Sequence, residues 1–168
     1  YLVLLWLTLM LLIGNFCVFF LYYLLPRSTG KNFGRKLNSA VFRLFLRGCS
    51  AFGLIHLDLQ DLDKLNNEEG IIIAPNHPSM IDVFLVLSRI NNASCLMKAS
   101  LWNNILLGSG AKLAGYVNND SITKMIRGSI TELQSGNNLL IFPEGTRTVN
   151  TPVNRLMAGI GLISAKAR

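Results

Sequence analysis

The sequence predicts an α/β domain, with a central mainly parallel or mixed sheet flanked by helices, behind an N-terminal hydrophobic membrane helix. Three observations point there. Short apolar runs such as "IIIAP" (71–75) alternate with segments of helical apolar spacing, the pattern of βα units. The loops after Ala74 and after Phe142 hold the chemically distinctive side chains, and ligands of open α/β sheets gather where strands end. The first 25 residues carry no charge.

That opening stretch, "YLVLLWLTLMLLIGNFCVFFLYYLL", accounts for part of the 51% hydrophobic content of the 168-residue chain and of its mean hydropathy of +0.40. As a helix it reaches roughly 37 Å at about 1.5 Å per residue, enough for a hydrocarbon core of about 30 Å. It is too long for a signal peptide and has no small-residue cleavage site. Apolar residues fill every face, which disfavours an amphipathic core helix. A membrane segment is expected over 1–25, either crossing the bilayer or turning back within one leaflet.

Arg27, Lys31, Arg35, Lys36, Arg43 and Arg47 follow with no acid among them. By the positive-inside rule this flank faces the cytoplasm, the inner membrane face in a bacterium, and it attracts anionic headgroups. Residues 26–55 form a basic juxtamembrane segment. Its helical part, 35–55, either lies at the interface or is the first core-packing helix. The net charge of +7 does not signal nucleic acid, since no zinc-finger spacing, helix-turn-helix or aromatic RNP-like run is present. Cys17, Cys49 and Cys95 are too scattered for a disulfide framework or metal site, so reduced structural thiols are expected. The chain starts at Tyr1 and stops at Arg168 without a terminal element, which reads as a fragment whose third region, 56–168, is C-terminally incomplete.

Within 56–168, "HLDLQDLDKLNNEEG" alternates at Leu57 and Leu59 and then loosens, predicting a short strand and a surface connection. His56 has no recognisable partner. "IIIAP" is a buried strand, "SMIDVFLVLSRI" a helix and "SCLMKAS" a second strand. "LWNNILLGSGAKLAG" reads as a short helix followed by glycine-broken turns, and "YVN" as a short strand. "SITKMIRGSITELQSG" is an amphipathic helix ended by Gly136, and "NNLLIFPEGTR" a buried strand running into a loop.

Two loops carry the chemistry. Pro78 disfavours an α conformation at His77 and suits the first turn of the next helix, which places Asp82 just over one turn in. The carboxylate can then bend back to the imidazole, fix its tautomer and leave the other nitrogen free to accept a proton. The bland reading is a capping histidine and an acid at a helix N-terminus. In the second loop, Pro143 to Arg147, Gly145 permits close backbone approach to a ligand. Arg147 offers a planar fork of donors suited to phosphate. Glu144 can hold that arginine or bond a substrate hydroxyl.

Together, "NHPSMID" (76–82) and "FPEGTR" (142–147) resemble the first and third signature blocks of the glycerolipid acyltransferase family, which includes 1-acylglycerol-3-phosphate and related lysophospholipid acyltransferases. The resemblance covers roughly 65–165. It implies that His77 deprotonates the acceptor hydroxyl while Asp82 orients it. The oxygen then attacks the thioester of acyl-CoA or acyl-carrier protein, used as co-substrate with no bound cofactor. No covalent acyl-enzyme is implied, in keeping with the absence of a G-x-S-x-G motif. Glu144, Gly145 and Arg147 match acceptor-binding positions, the arginine on the phosphate. Asn76, Thr146 and Lys98, the last at the end of the second strand, complete the candidate substrate-binding set. Where family members carry a base soon after the glycine of the second block, "GYVNNDS" (115–121) has none, and the fourth block is absent. One histidine beside one acid makes a poor ligand set, so no metal is expected.

The expected function is acyl transfer to the free hydroxyl of a lysophospholipid, most simply lysophosphatidic acid to phosphatidic acid, with membrane lysophospholipid and acyl donor as partners. The alternatives are a non-catalytic lipid-binding or scaffold protein on the same fold, and a membrane-associated hydrolase.

Overall fold

In a computed structural model, residues 2–24, 27–150 and 152–167 are described. Four short parallel strands form the sheet: β1 (Ile72–Ile73), β2 (Ala93–Met97), β3 (Val117–Asn118) and β4 (Asn138–Leu140), in the order β1-β4-β2-β3. Every pairing is parallel: Ile73 lies opposite Leu140, Cys95 also opposite Leu140, and Leu96 opposite Val117. Alternation along the strands divides the core between two faces. Ile73, Cys95 and Leu140 pack with Val86, Leu87 and Ile90 on one side. Leu139 and Ile141 pack with Leu133 and Ile163 on the other. Helices therefore cover both faces, as purely parallel sheets require.

The helices are α1 (Leu2–Leu24), α2 (Arg27–Ala51), α3 (Gln60–Asp63), α4 (Asp82–Arg89), α5 (Ala99–Trp102), α6 (Ile105–Leu113), α7 (Ile122–Gln134) and α8 (Gly159–Ala167). α2 and α4 pack against each other, as do α7 and α8. After α7 the chain turns at Gly136, at φ 77°, where the Gly136 and Asn137 amides donate to Leu133 and Glu132 carbonyls.

Several expectations are corrected. No strand forms over 56–59. Instead the Asp58 carboxylate accepts from Gln60 N at 3.3 Å and opens α3, followed by a 3-10 turn over Lys64–Asn67. Leu62 and Leu65, three apart, reach the core and make the helical geometry worthwhile. Residues 105–113 are helical straight through Gly108 and Gly110. A Cβ on Gly108 would strike the Trp102 carbonyl, and one on Gly110 would meet Asn38 Oδ1 at 3.2 Å. The glycines serve close packing of α5 and α2, which outweighs their low helix propensity.

Of the two readings open for 35–55, core packing holds: α2 lies against α4 and α6, with Leu46 and Ser39 buried. Gly34 on α2 approaches so close that a Cβ would sit 2.6 Å from the Leu113 backbone. Arg35 does not face lipid. It is 3% exposed and paired with Glu132 of α7, while its Nε donates to the Ala114 carbonyl at 3.0 Å. Lys31 joins the same carboxylate at 3.1 Å, leaving Lys36 and Arg47 exposed.

The expected span over 1–25 includes Tyr1 and Leu25, which lie outside the described residues. Among the described residues no helix is long and apolar enough to cross a membrane. One stripe of α1 is committed to protein: Met10, Gly14, Val18 and Leu21 recur at helical spacing, Val18 is 3% exposed, and α1 packs on α6 and α2. Cys17, Cys49 and Cys95 are free thiols, and burial pushes that of Cys95 up to about 12.

Candidate active site

Because β1 and β4 are parallel neighbours, their C-terminal loops leave the sheet side by side. His77 stands four residues beyond Ile73, and Glu144 four beyond its partner Leu140, so the two loops meet at one height. They are then tied together. The His77 backbone N–H donates to Glu144 Oε1 at 3.0 Å and to Thr148 Oγ1 at 3.1 Å, and Thr148 N returns a bond to the His77 carbonyl at 2.8 Å.

The His77 ring is held from two directions. Its Nδ1 lies 3.0 Å from Asp82 Oδ2, and its face stacks on Phe142 with centroids 3.9 Å apart and planes at 22°. The same Asp82 oxygen accepts from Ser79 N at 2.8 Å. Residues 78–81 form a turn rather than the first turn of a helix, and α4 begins at Asp82 itself. Asp82 is thus closer to the helix start than its spacing suggested, where the N-terminal dipole favours its negative charge. With Nδ1 donating to the carboxylate, Nε2 is the nitrogen left to accept a proton.

Glu144 is buried, and both its oxygens are engaged within the protein: Oε1 by His77 N and the Thr148 hydroxyl, Oε2 by Asn154 N at 2.8 Å. The Thr148 hydroxyl, followed by the Asn154 and His77 amides, holds its carboxyl below the ordinary range although burial opposes this. Glu144 therefore neither pairs with Arg147 nor points a free oxygen at a ligand; it is the fastening between the two loops. Gly145, at φ 67°, takes a left-handed turn that brings Met157 against it, where a Cβ would sit 2.5 Å from Sδ. The turn delivers Thr146 and Arg147 to the surface.

Asn76, Thr146, Arg147 and Lys98 are exposed and have no side-chain hydrogen bond or ion pair among the described residues. Lys98 directly follows β2, on the far side of β4 from β1, so that strand runs two spacings, roughly 10 Å, from the one leading to His77. The structure thus brings His77, Asp82 and Glu144 into one network and places Lys98 beyond it, on the same sheet edge. In "GYVNNDS", Asn119 Oδ1 accepts from Ala99 N at 2.8 Å and Asp120 pairs with Lys124 at 3.5 Å, so both serve the local fold.

Phe142, Thr148 and Asn154 belong to the network without having been singled out from sequence. Phe142 lay inside a recognised block, whereas Thr148 and Asn154 sit among polar loop residues with nothing to distinguish them. A further cavity of about 430 Å³ lies beside β3, lined by Trp102, Val117, Lys124 and Glu132, and includes none of the candidate residues. Among the described residues no group of three or more metal-ligating side chains occurs.

A family model described as Acyltransferase matches residues 56–168. The chain belongs to the acyltransferase family. The acyltransferase fold agrees with a solved structure, the crystal structure of the 1-acyl-sn-glycerophosphate (LPA) acyltransferase PlsC from Thermotoga maritima. It superposes with a TM-score of 0.69 at 18% identity, over 95% of this chain and 65% of that one. The chain thus spans about two thirds of the length of that protein. No curated protein matches the sequence.

Proposed function

We propose that this acyltransferase-family chain transfers a fatty acyl group from an acyl thioester to the free hydroxyl of a lysophospholipid, most simply lysophosphatidic acid. The observation that carries the reading is the His77 Nδ1 to Asp82 contact of 3.0 Å, on a loop fastened to the one that presents Arg147. Nε2 of the neutral imidazole takes the acceptor proton as the oxygen attacks the thioester carbonyl. The tetrahedral adduct collapses with cleavage of the C–S bond, and the imidazolium returns its proton to the departing thiolate, giving ester and free thiol. Asp82 holds the tautomer and stabilises the imidazolium while it lasts. The Phe142 ring fixes the imidazole plane. Arg147, exposed and without an ion-pair partner among the described residues, is available to an acceptor phosphate.

The PlsC name supports the choice of acceptor, since that protein is a 1-acyl-sn-glycerophosphate acyltransferase. Acyl-CoA and acyl-carrier protein both fit as donors. The site works at a membrane surface on the cytoplasmic side. The support for this is a second stripe of α1, Leu5, Leu9, Ile13, Phe16, Phe20 and Leu24, which is exposed at helical spacing, together with the surface cations Lys36 and Arg47. A helix packed on protein by one stripe and apolar on the other suits burial in one leaflet.

The test is transfer of labelled acyl donor to a panel of lyso-acceptors by wild type and His77→Ala. Ester formation that falls by about 10²–10⁴ in the variant is expected of a lost general base. Transfer that survives His77→Ala would remove the base, and free fatty acid without ester would make the protein a hydrolase.

A further inference from the structure

We infer that Asn154 is a positioning residue for the acceptor, setting the backbone of Arg147 at a fixed place relative to His77. The inference rests on the acceptor reading above. Asn154 sits in a stretch, 152–158, that has no helix or strand and leads into α8. Its neighbours Val153, Leu156 and Met157 are 44%, 58% and 62% exposed, whereas Asn154 is 9% exposed. A buried amide in an exposed loop must find its partners within the protein.

Asn154 finds them at both ends of the amide. Oδ1 accepts from the backbone N–H of Val149 at 3.2 Å and of Asn150 at 3.0 Å, and from Asn150 Nδ2 at 3.0 Å. Nδ2 donates to the Arg147 carbonyl at 2.9 Å. One side chain thus closes residues 147–150 into a turn using donors and an acceptor together. No apolar packing can substitute, because Val149 is 82% exposed and Arg147 and Asn150 are exposed as well. The Asn154 backbone N–H donates to Glu144 Oε2, and Glu144 Oε1 accepts from His77 N. A single residue therefore touches the Arg147 backbone directly and the His77 backbone through one carboxylate. Position, not charge, is what it supplies.

The consequence is a split between the two substrates. In Asn154→Ala, KM for a phosphate-bearing lyso-acceptor rises about tenfold or more, as expected of a displaced binding group. KM for the acyl donor stays unchanged and kcat at saturation stays within about threefold. In an Arg147→Ala background the Asn154→Ala effect disappears, because the two act on one contact. Independently of activity, amide hydrogen exchange at Val149 and Asn150 speeds up in Asn154→Ala. Should that variant fail to fold, Asn154→Asp keeps the acceptor oxygen and loses only the donor to Arg147; it then keeps the protection at Val149 and Asn150 and still raises acceptor KM.

An acceptor KM unchanged by both substitutions, or raised equally in the Arg147→Ala background, would overturn the inference. Unchanged exchange in a folded Asn154→Ala would also overturn it. Wild-type protein that acylates no acceptor would instead sink the functional reading, and the exchange result would still decide whether Asn154 holds the turn.

Discussion

Glu144 stands beside an exposed arginine in the sequence, where a carboxylate reads as its ion-pair partner or as a ligand for a hydroxyl. In the fold its two oxygens face three donors, His77 N, the Thr148 hydroxyl and Asn154 N. That geometry makes Glu144→Gln a sharp probe. Either orientation of the new amide turns an NH₂ group toward a donor, so at least one bond is replaced by an unpaired contact. The sign of the pH effect follows from the lowered carboxyl: the charged form stabilises the fold above the unfolded value, near 4.5, and that contribution fades as pH falls through the lower folded value. Wild type should therefore unfold several degrees above Glu144→Gln at pH 7, and the two melting curves should converge below pH 4.5. A gap that persists at low pH would mean the carboxylate charge is not what fastens the loops. His77 and Asp82 were legible as a pair because they are five residues apart and His77 is bracketed by Pro75 and Pro78. The role of Glu144 was not, since His77 is joined to it only by the register of β1 and β4, and Asn154 only by the fold of the loop that follows β4.

Helices and strands were legible wherever the apolar period was sustained, and were misread where a distant element supplied the reason for a residue. Leu57 and Leu59 alternate over too few positions to specify a strand. Gly108 and Gly110 look like breaks until Trp102 and Asn38 are set against them. Arg35 falls among six basic residues beside an apolar segment and reads as lipid-facing, yet its counter-ion is Glu132, on α7. This pair joins α2 to α7, across the sheet edge carrying β3. Asn137 Nδ2 and Lys31 complete the carboxylate's bonds, and Arg35 is left a single further acceptor, the Ala114 carbonyl. Removing one partner strands a buried charge. Glu132→Ala is expected to cost about 3–5 kcal/mol in chemical denaturation. Lys31→Ala, whose side chain is 54% exposed, should cost under about 1 kcal/mol. Similar losses from both would show that the exposed lysine, not the buried arginine, joins the helices.

On the scale of the whole molecule, the parallel sheet collects both reactive loops on one edge, and the N-terminal helices pack on the same body through α6 and α4. The hydrophobicity of 1–25 was plain in the sequence, but its division into two stripes was not, because apolar residues on every face give no clue to which of them meets protein. The exposed stripe includes Ile13 at 63%, Phe16 at 64% and Phe20 at 50%, an apolar surface that water disfavours and a bilayer accepts. If this stripe carries the membrane contact, its contribution is mainly apolar, with a smaller electrostatic part from Lys36 and Arg47. Binding to vesicles of mixed neutral and anionic lipid should then weaken only modestly between low and physiological salt. Replacing Phe16 and Phe20 together by Ser withdraws two large side chains worth about 1.5 kcal/mol or more each, so partitioning should fall by roughly a hundredfold or more. Both side chains are exposed and the main contacts of α1 are with α6 and α2, so turnover of a short-chain acceptor dispersed in water should stay at the wild-type level. Cosedimentation measures the first effect and the acyl-transfer assay the second. Undiminished vesicle binding by the double variant would place the membrane contact on another surface, and loss of turnover in water would show that the stripe supports the fold instead.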